Sequence, residues 1–344
     1  MSTLISVITV CKNSEKTIEQ TILSVLSQSY DNVEYIIVDG ASTDDTMEIV
    51  EKYRNRISIV VSEPDEGLYY AMNKGIELSS GEIIGIINSD DWYEEGALEQ
   101  VVSIFESEDL DILYGDINYV EQDKDVFIYE QPVFRSLWHL MSVNHPATFV
   151  KREVYEKYGV YDTSYRIPAD VEIMNRFWRK KVRFGHISRV FANFRAGGLS
   201  CVNKEQNEYE VRRIIDKYIE PDKFTECCLS GFTNRENPLY IWGAGRWGTV
   251  VIRCLSECNI VVDGIYDIDE SKWGNTVSGI RIISPQNGGR RKQCILIAID
   301  RDDMDISKYI DEESLDNCEV KYLKECFEIY EQYLAEQYGD CKEI

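Results

Sequence analysis

A chain of 344 residues that is 44% hydrophobic and 28% charged is too apolar for a disordered polypeptide and long enough for two domains, each with its own core. Its formal net charge of −24 repels nucleic-acid phosphates and anionic lipid headgroups. That excludes a nucleic-acid partner and leaves membrane contact to a local patch or a partner protein.

The opening Met1-Ser2-Thr3-Leu4-Ile5-Ser6-Val7 has no basic residue ahead of its apolar stretch, so it reads as a first strand and not as a signal peptide. No apolar run approaches the roughly 20 residues of a membrane span. A cytoplasmic protein is expected, at most peripheral to the inner face of the plasma membrane, with homo-oligomerisation left open. The 10 cysteines are scattered without a C-x-x-C pair, a pattern of reduced, packed thiols more than of zinc or disulfides.

In chain order, Leu4–Val10 is a β-branched run, and Ser14 can cap a helix carrying Ile18, Ile22, Val25 and Leu26 at helical spacing. Val33–Val38 is a second strand ending at Asp39, and Ser42 can cap the next helix. Ile57–Val61 is a third strand, Tyr70–Leu78 a helix, and Ile83–Ile87 a fourth strand running into Asn88-Ser89-Asp90-Asp91. This alternation predicts a mostly parallel sheet covered by helices. Beyond residue 100 the rhythm loosens, with a strand near Ile112 and helices at Val154–Tyr158 and Val171–Lys180. The polar stretch Ser230–Pro238 reads as a boundary, dividing the chain into 1–232 (halves 1–100 and 101–232) and 233–344.

In an open parallel sheet, ligands bind beyond the carboxyl ends of the strands. Asp39, then Glu63 and Asp65, then Asp90 and Asp91 follow three of the first four strands. Turn and cap chemistry explains some of these. It explains Asp90-Asp91 less well, since adjacent carboxylates repel unless neutralised. A divalent cation of the Mg²⁺ or Mn²⁺ kind, which also holds substrate phosphates, would neutralise them.

Over roughly residues 3–200 the sequence resembles the family-2 inverting glycosyltransferases of the GT-A fold. The resemblance is carried by Ser6-Val7-Ile8-Thr9-Val10 with Asn13, by Val38-Asp39-Gly40-Ala41-Ser42-Thr43-Asp44-Asp45-Thr46, by Ser62-Glu63-Pro64-Asp65-Glu66-Gly67 with Ala71-Met72-Asn73-Lys74-Gly75, and by Asn88-Ser89-Asp90-Asp91. It implies a GT-A domain that moves a sugar from a nucleotide-diphosphate donor to a saccharide or lipid-linked saccharide acceptor, in surface polysaccharide synthesis. It implies that Asp39 and Asp65 bind the nucleotide, that Asn73 and Lys74 contact the donor, and that Asp90 and Asp91 form the D-x-D-type pair with Asp91 on the metal.

Inverting transfer needs one base to take the acceptor hydroxyl proton, while a metal stabilises the leaving diphosphate. Asp170, in Arg166-Ile167-Pro168-Ala169-Asp170-Val171-Glu172, resembles the family's base; the bland alternative is a helix cap, and Glu172 is the fallback. Asn144-His145-Pro146 resembles a segment near the acceptor, where His145 is either a substrate contact or structural. Trp92 could present a platform to a sugar ring, with Trp138, Tyr69 and Tyr70 as weaker candidates. Arg195, in Arg195-Ala196-Gly197-Gly198-Leu199-Ser200, resembles a donor-covering segment, and its fork suits a diphosphate.

Gly243-Ala244-Gly245-Arg246-Trp247-Gly248 follows the strand Leu239-Tyr240-Ile241-Trp242 and precedes an apolar helix, and Asp267 ends the next strand. That context predicts a small Rossmann-like α/β domain in which Gly243, Gly245, Gly248 and Asp267 would meet a dinucleotide. The segment is too short for a full dehydrogenase, so NAD(P) is admitted but not favoured. Two other readings stand: a nucleotide-sugar oxidoreductase or epimerase working through this fingerprint, and a catalytically silent sugar-nucleotide binder.

Overall fold

The computed structural model of the protein describes residues 2–121, 126–129, 143–197, 203–233, 236–287, 292–299, 308–309, 316–339 and 341–344. Trp138 and Gly198-Leu199-Ser200 lie outside the described residues. By compactness the chain divides into Met1–Ile215 with Glu336–Ile344, and Asp216–Ala335. The stretch 230–238, where the sequence suggested a boundary, falls inside the second unit. The cause is local packing: helix Pro221–Leu229 lies on helix Arg246–Glu257, and Lys321 Nζ donates to the carbonyls of Cys227 and Ser230 at 2.6 and 2.5 Å.

The first unit opens with strands β1 (Ile5–Cys11), β2 (Val33–Asp39), β3 (Ile59–Ser62) and β4 (Ile83–Asn88), interleaved with helices α1 (Ile18–Leu26), α2 (Thr46–Lys52) and α3 (Leu68–Leu78). The four strands are parallel in the order β3-β2-β1-β4. Then come β5 (Trp92–Tyr93), α4 (Ala97–Ser107), β6 (Ile112–Val120), β7 (Val126–Tyr129), β8 (Thr148–Lys151), α5 (Arg152–Tyr158), α6 (Ala169–Arg179) and β9 (Phe184–Arg195). Antiparallel β8 wedges between β4 and β6. Parallel β9 extends the sheet beyond β6, and a two-residue strand, Lys342–Glu343, joins its outer side.

Every residue of β1 is buried, as expected of a parallel strand covered on both faces. Ile5 and Val7 share one cluster with Ile18, Ile22 and Val25 of α1 and Leu98, Val101 and Val102 of α4. Burying each such side chain stabilises the fold by about 1.5–3 kcal/mol, enough together to fix which ends of the strands face the same rim. On the other side α3 presses on β1 at Gly75, where a Cβ would lie 2.4 Å from Ile8 Cγ2. That close approach sets the phase of α3, with Tyr69 and Met72 buried and Tyr70 exposed.

The second unit carries β10 (Leu239–Trp242), β11 (Gly264–Tyr266), β12 (Thr276–Val277), β13 (Ile280–Ile283), β14 (Gln293–Ile297) and β15 (Cys318–Tyr322). Its parallel strands run β13-β11-β10-β14-β15. Counted in chain order this is the 3-2-1-4-5 order of doubly wound sheets, with the glycine turn after the central strand. Trp242, Tyr266, Ile295 and Ile297 form its core cluster.

Candidate active site

At the carboxyl ends of β1 and β4 the first unit opens a cavity of about 1150 Å³. One wall is the loop after β1, from Lys12 to Thr17. Others are Asp65 to Met72, the turn Asn88-Ser89-Asp90, His145-Pro146, and the stretch containing Thr163, Tyr165, Arg166, Ile167 and Asp170. Asp65, Asp90, His145 and Asp170, chosen from the sequence, therefore share one space.

The rim is laced together by its polar residues. Asn13 N–H donates to Ser42 Oγ (2.7 Å), Thr43 N–H donates to Asn13 Oδ1 (2.9 Å), and Ser14 Oγ meets Ser89 Oγ at 2.7 Å. Neither Ser14 nor Ser42 caps a helix. α1 begins only at Ile18, α2 begins at Thr46, and Asp44 Oδ1 accepts the Thr46 N–H. Asp65 packs on Gly40, where a Cβ would sit 2.6 Å from Asp65 Oδ2, and it accepts the Gly67 N–H at 3.1 Å.

Asp90 faces the cavity, while Asp91 is only 1% exposed behind it. Asp91 Oδ1 accepts the Arg195 N–H at 3.0 Å, and Oδ2 is buried with no hydrogen-bond partner, as is Asn88 Oδ1. Burial raises both carboxyls above their ordinary range, and the Asp90 charge pushes Asp91 further up. A buried carboxylate oxygen left without a partner is costly, and two adjacent carboxyls fit a divalent cation. Among the described residues no group of three or more His, Cys, Asp or Glu side chains gathers for a metal. The protein would supply two carboxylates, and phosphates and waters the rest, the usual balance for Mg²⁺.

Asp170 lies across the cavity in the first turn of α6, whose preceding residue is Pro168, so it is not the helix cap. Its Oδ1 accepts the Val171 N–H at 2.8 Å. Part of its surface opens into the cavity, but protein surrounds the carboxyl, and burial pushes it up to about 6. Nearby, Tyr69 and Tyr161 stack with ring centres 5.3 Å apart, and His145 Nε2 lies 3.0 Å from the Tyr161 hydroxyl. Burial lowers His145 to about 4, so it is neutral at physiological pH. Glu172 is fully buried and paired with Arg176 at 3.3 Å, away from the cavity.

The stretch before Asp170 is held from two sides. Tyr69 Oη donates to the Ile167 carbonyl. Glu210 Oε2, from helix Lys204–Tyr218, accepts the N–H groups of Arg166 and Ile167 at 2.9 and 3.0 Å, and its Oε1 accepts from Gln206 at 2.7 Å. Glu210 is 1% exposed. A misplacement of about 1 Å can cost on the order of 100-fold in rate. Glu210→Gln, which exchanges one acceptor for a donor, is therefore expected to lower kcat about tenfold or more with the donor KM unchanged. Steady-state kinetics at fixed acceptor checks this.

The remaining candidates lie elsewhere. Asp39 is fully buried, and its carboxylate takes Ser42 N–H (3.0 Å), Ser42 Oγ and Ser62 Oγ (2.6 Å); it shapes the turn behind the cavity wall. Asn73 and Lys74 sit on the outward side of α3. Asn73 clasps the backbone of Tyr161 through Nδ2 and Oδ1, both at 2.9 Å, and Lys74 pairs with Glu63. Arg195 is committed to the Asp90 carbonyl (3.1 Å) and Gln20 (2.8 Å), and its guanidinium lies 5.0 Å over the Trp92 ring. Trp92 thus supports Arg195. Three lining cations, Lys12, Lys16 and Arg166, were passed over in the sequence. The signal for Lys12 was the one used for the acids, a place just beyond a strand's carboxyl end.

In the second unit Gly243 has φ +110°, a Cβ on Gly248 would lie 1.9 Å from the Gly243 carbonyl oxygen, and one on Gly245 would meet nothing within 4 Å. The turn is thus tight and open at Gly245. Asp267, however, is already engaged by Ala244 N–H (2.9 Å), Asp269 N–H (2.9 Å) and Lys272 Nζ (3.0 Å). A dinucleotide's ribose would have to displace an ion pair there, so Asp267 does not fit the role expected of it.

The family model described as Glycosyl transferase family 2 matches residues 6–166. The glycosyltransferase GlyG of Streptococcus pneumoniae serotype 4 is 35% identical over 253 residues, 67% of this chain and 83% of GlyG. The UDP-Glc:alpha-D-GlcNAc-diphosphoundecaprenol beta-1,3-glucosyltransferase WfaP of Escherichia coli is 33% identical over 121 residues, 35% of this chain and 48% of WfaP. Among solved structures, S. aureus TarS 1-349 in complex with UDP superposes with a TM-score of 0.51 at 22% identity, over 68% of this chain and 71% of that one; this likeness is one of fold. The fold is that of the GT-A sugar-transferring enzymes. The chain belongs to glycosyltransferase family 2.

Proposed function

We propose that the first unit transfers a sugar, with inversion, from a nucleoside-diphosphate donor to a hydroxyl of a saccharide or lipid-linked saccharide acceptor. The observation that carries the reading is the single cavity with Asp65 and Asp90 on one side and Asp170 and His145 on the other. The nucleotide lies toward Asp65, and its diphosphate toward Asp90, Lys12 and Lys16. Arg166 is a further cation on the acceptor side. Mn²⁺ or Mg²⁺, held by Asp90 and Asp91, would neutralise the diphosphate as it leaves.

Asp170, ionised above pH about 6, takes the acceptor's hydroxyl proton while that oxygen bonds to the anomeric carbon. The bond from that carbon to the phosphate oxygen breaks, and its electron pair leaves with the diphosphate. Neutral His145 serves as a hydrogen-bonding wall and not as an acid. Work on a surface glycan is supported by the names of the relatives: WfaP acts on a diphosphoundecaprenol-linked sugar, and a Bacillus subtilis relative, TuaG, is assigned putatively to teichuronic acid synthesis. Among the described residues no helix is long and apolar enough to cross a membrane. The second unit, with Asp267 self-engaged, is proposed as a packing or partner-binding module and not as an oxidoreductase.

The test is a panel of nucleotide sugars screened for hydrolysis and thermal protection, with Mn²⁺ and with EDTA. One nucleotide class is expected to respond, and only with metal. Protection by NAD(P) with no response to any nucleotide sugar would overturn the reading.

A further inference from the structure

We propose that a second cavity, between α3 and α5, binds sugar units of the acceptor beyond the one that reacts, so that the preferred acceptor is an oligosaccharide. The inference rests on the glycosyltransferase reading above. The cavity measures about 550 Å³ and is walled by Tyr70, Lys74 and Glu77 of α3 and by Arg152, Tyr155 and Val160. Tyr70 also lines the large cavity, so the two spaces adjoin at this ring. Tyr70 is 41% exposed, an uncovered aromatic at the junction. The Arg152 side chain is 41% exposed and its Nη1 pairs with Glu156 at 3.0 Å, while the shielded Nε atom has no hydrogen-bond partner among the described residues.

These features select for a ligand's chemistry. A sugar ring offers an apolar C–H face to an exposed tyrosine ring and a belt of hydroxyls to the polar groups around it. The half-exposed Arg152 guanidinium, with its Nε–H unpartnered, offers a donor to a ligand's acceptor oxygen. A second nucleotide fits poorly, since Lys74 is paired with Glu63, Arg152 is paired with Glu156, and Glu77 adds negative charge. A diphosphate would meet neutralised cations beside a carboxylate, which a neutral polyhydroxyl tolerates. Asn73 and Lys74 do not line the large cavity. They belong to the wall of this second space.

The test uses the full chain and the variants Arg152→Ala and Glu77→Ala, with melting temperature as the check on folding. Saturation-transfer NMR would probe a panel of mono- to hexasaccharides of glucose, galactose, rhamnose and N-acetylglucosamine. At least one oligosaccharide is expected to bind the wild type, and about tenfold more weakly to each folded variant. In transfer assays the KM for an acceptor of three or more units should rise about tenfold in the variants. The KM for a one-unit acceptor, the donor KM and acceptor-free donor hydrolysis should stay unchanged. The inference is overturned if no oligosaccharide binds, if binding is insensitive to both variants, or if all acceptor lengths weaken equally. Loss of the glycosyltransferase reading would show separately, as wild-type chain that hydrolyses no nucleotide sugar.

Discussion

Asp170→Asn is expected to lower kcat by about 100- to 10,000-fold, the range for removing a general base, while the donor KM changes by less than about twofold. Asparagine keeps the shape and still accepts the Val171 N–H but cannot take a proton. The pH profile supplies the second readout. Burial raises Asp170 from 3.8 to about 6, so wild-type kcat/KM should climb with pH through about 6 and then level off, and the residual activity of the variant should lack that rise. The sign of the stability change follows from the same shift. A carboxyl whose pKa is raised by folding stabilises the fold only while it stays protonated, below its unfolded value, and that contribution disappears as pH rises through about 6. At pH 8 the Asn variant should therefore be more stable than wild type, by about 3 kcal/mol, and near pH 3 the two should match. Thermal melts at the two pH values check this. A variant that is inactive and also less stable at pH 8 would point to a structural role.

Asp91→Asn carries the other large effect. The wild type should lose activity in EDTA and regain it with Mn²⁺ or Mg²⁺. A metal that supplies several kcal/mol of transition-state stabilisation corresponds to a factor of about 100 to 10,000 in rate, and the variant should lose that factor and no longer respond to either reagent. Without metal, its stability should move the opposite way from its activity. The substitution removes a charge from a site where Asp91 Oδ2 has no partner and Asp90 adds repulsion, so the metal-free variant should melt higher than the metal-free wild type. Equal metal response in both proteins would take Asp91 out of the metal site.

The sequence disclosed the site where strand chemistry determines position. An acidic residue within two or three positions of a strand's end emerges at the carboxyl rim, which is where Asp65 and Asp90 line the cavity. Asp170 was legible through resemblance, and the structure adds that it stands within the first turn of α6 rather than before it. What stayed hidden depends on side-chain orientation. Asp39 emerges at the same rim but turns inward to Ser42 and Ser62, because hydroxyls from its own turn and from the neighbouring strand β3 complete its hydrogen bonds. The phase of α3 is set by Gly75 against Ile8, a contact between elements that spacing within one element does not reveal. That phase sends Asn73 and Lys74 outward. Glu210 lies well over thirty residues beyond the loop it holds, in a helix with no motif of its own. Lys342–Glu343, two residues pairing with β9, is too short for any periodic signal. In the second unit the glycine spacing foretold the turn, but the commitment of Asp267 to Lys272 depends on a lysine that no fingerprint includes.

The most direct measurement is a crystal structure of the full chain with Mn²⁺ and a nucleoside diphosphate, with the metal located by its anomalous signal. The expected result is one peak at about 2 Å from carboxylate oxygen of Asp90 or Asp91, the diphosphate bridging it toward Lys12 or Lys16, and open space between the terminal phosphate and Asp170 for a sugar and an acceptor hydroxyl. A nucleotide bound instead at the Gly243 turn, or a metal bound away from both aspartates, would contradict the account.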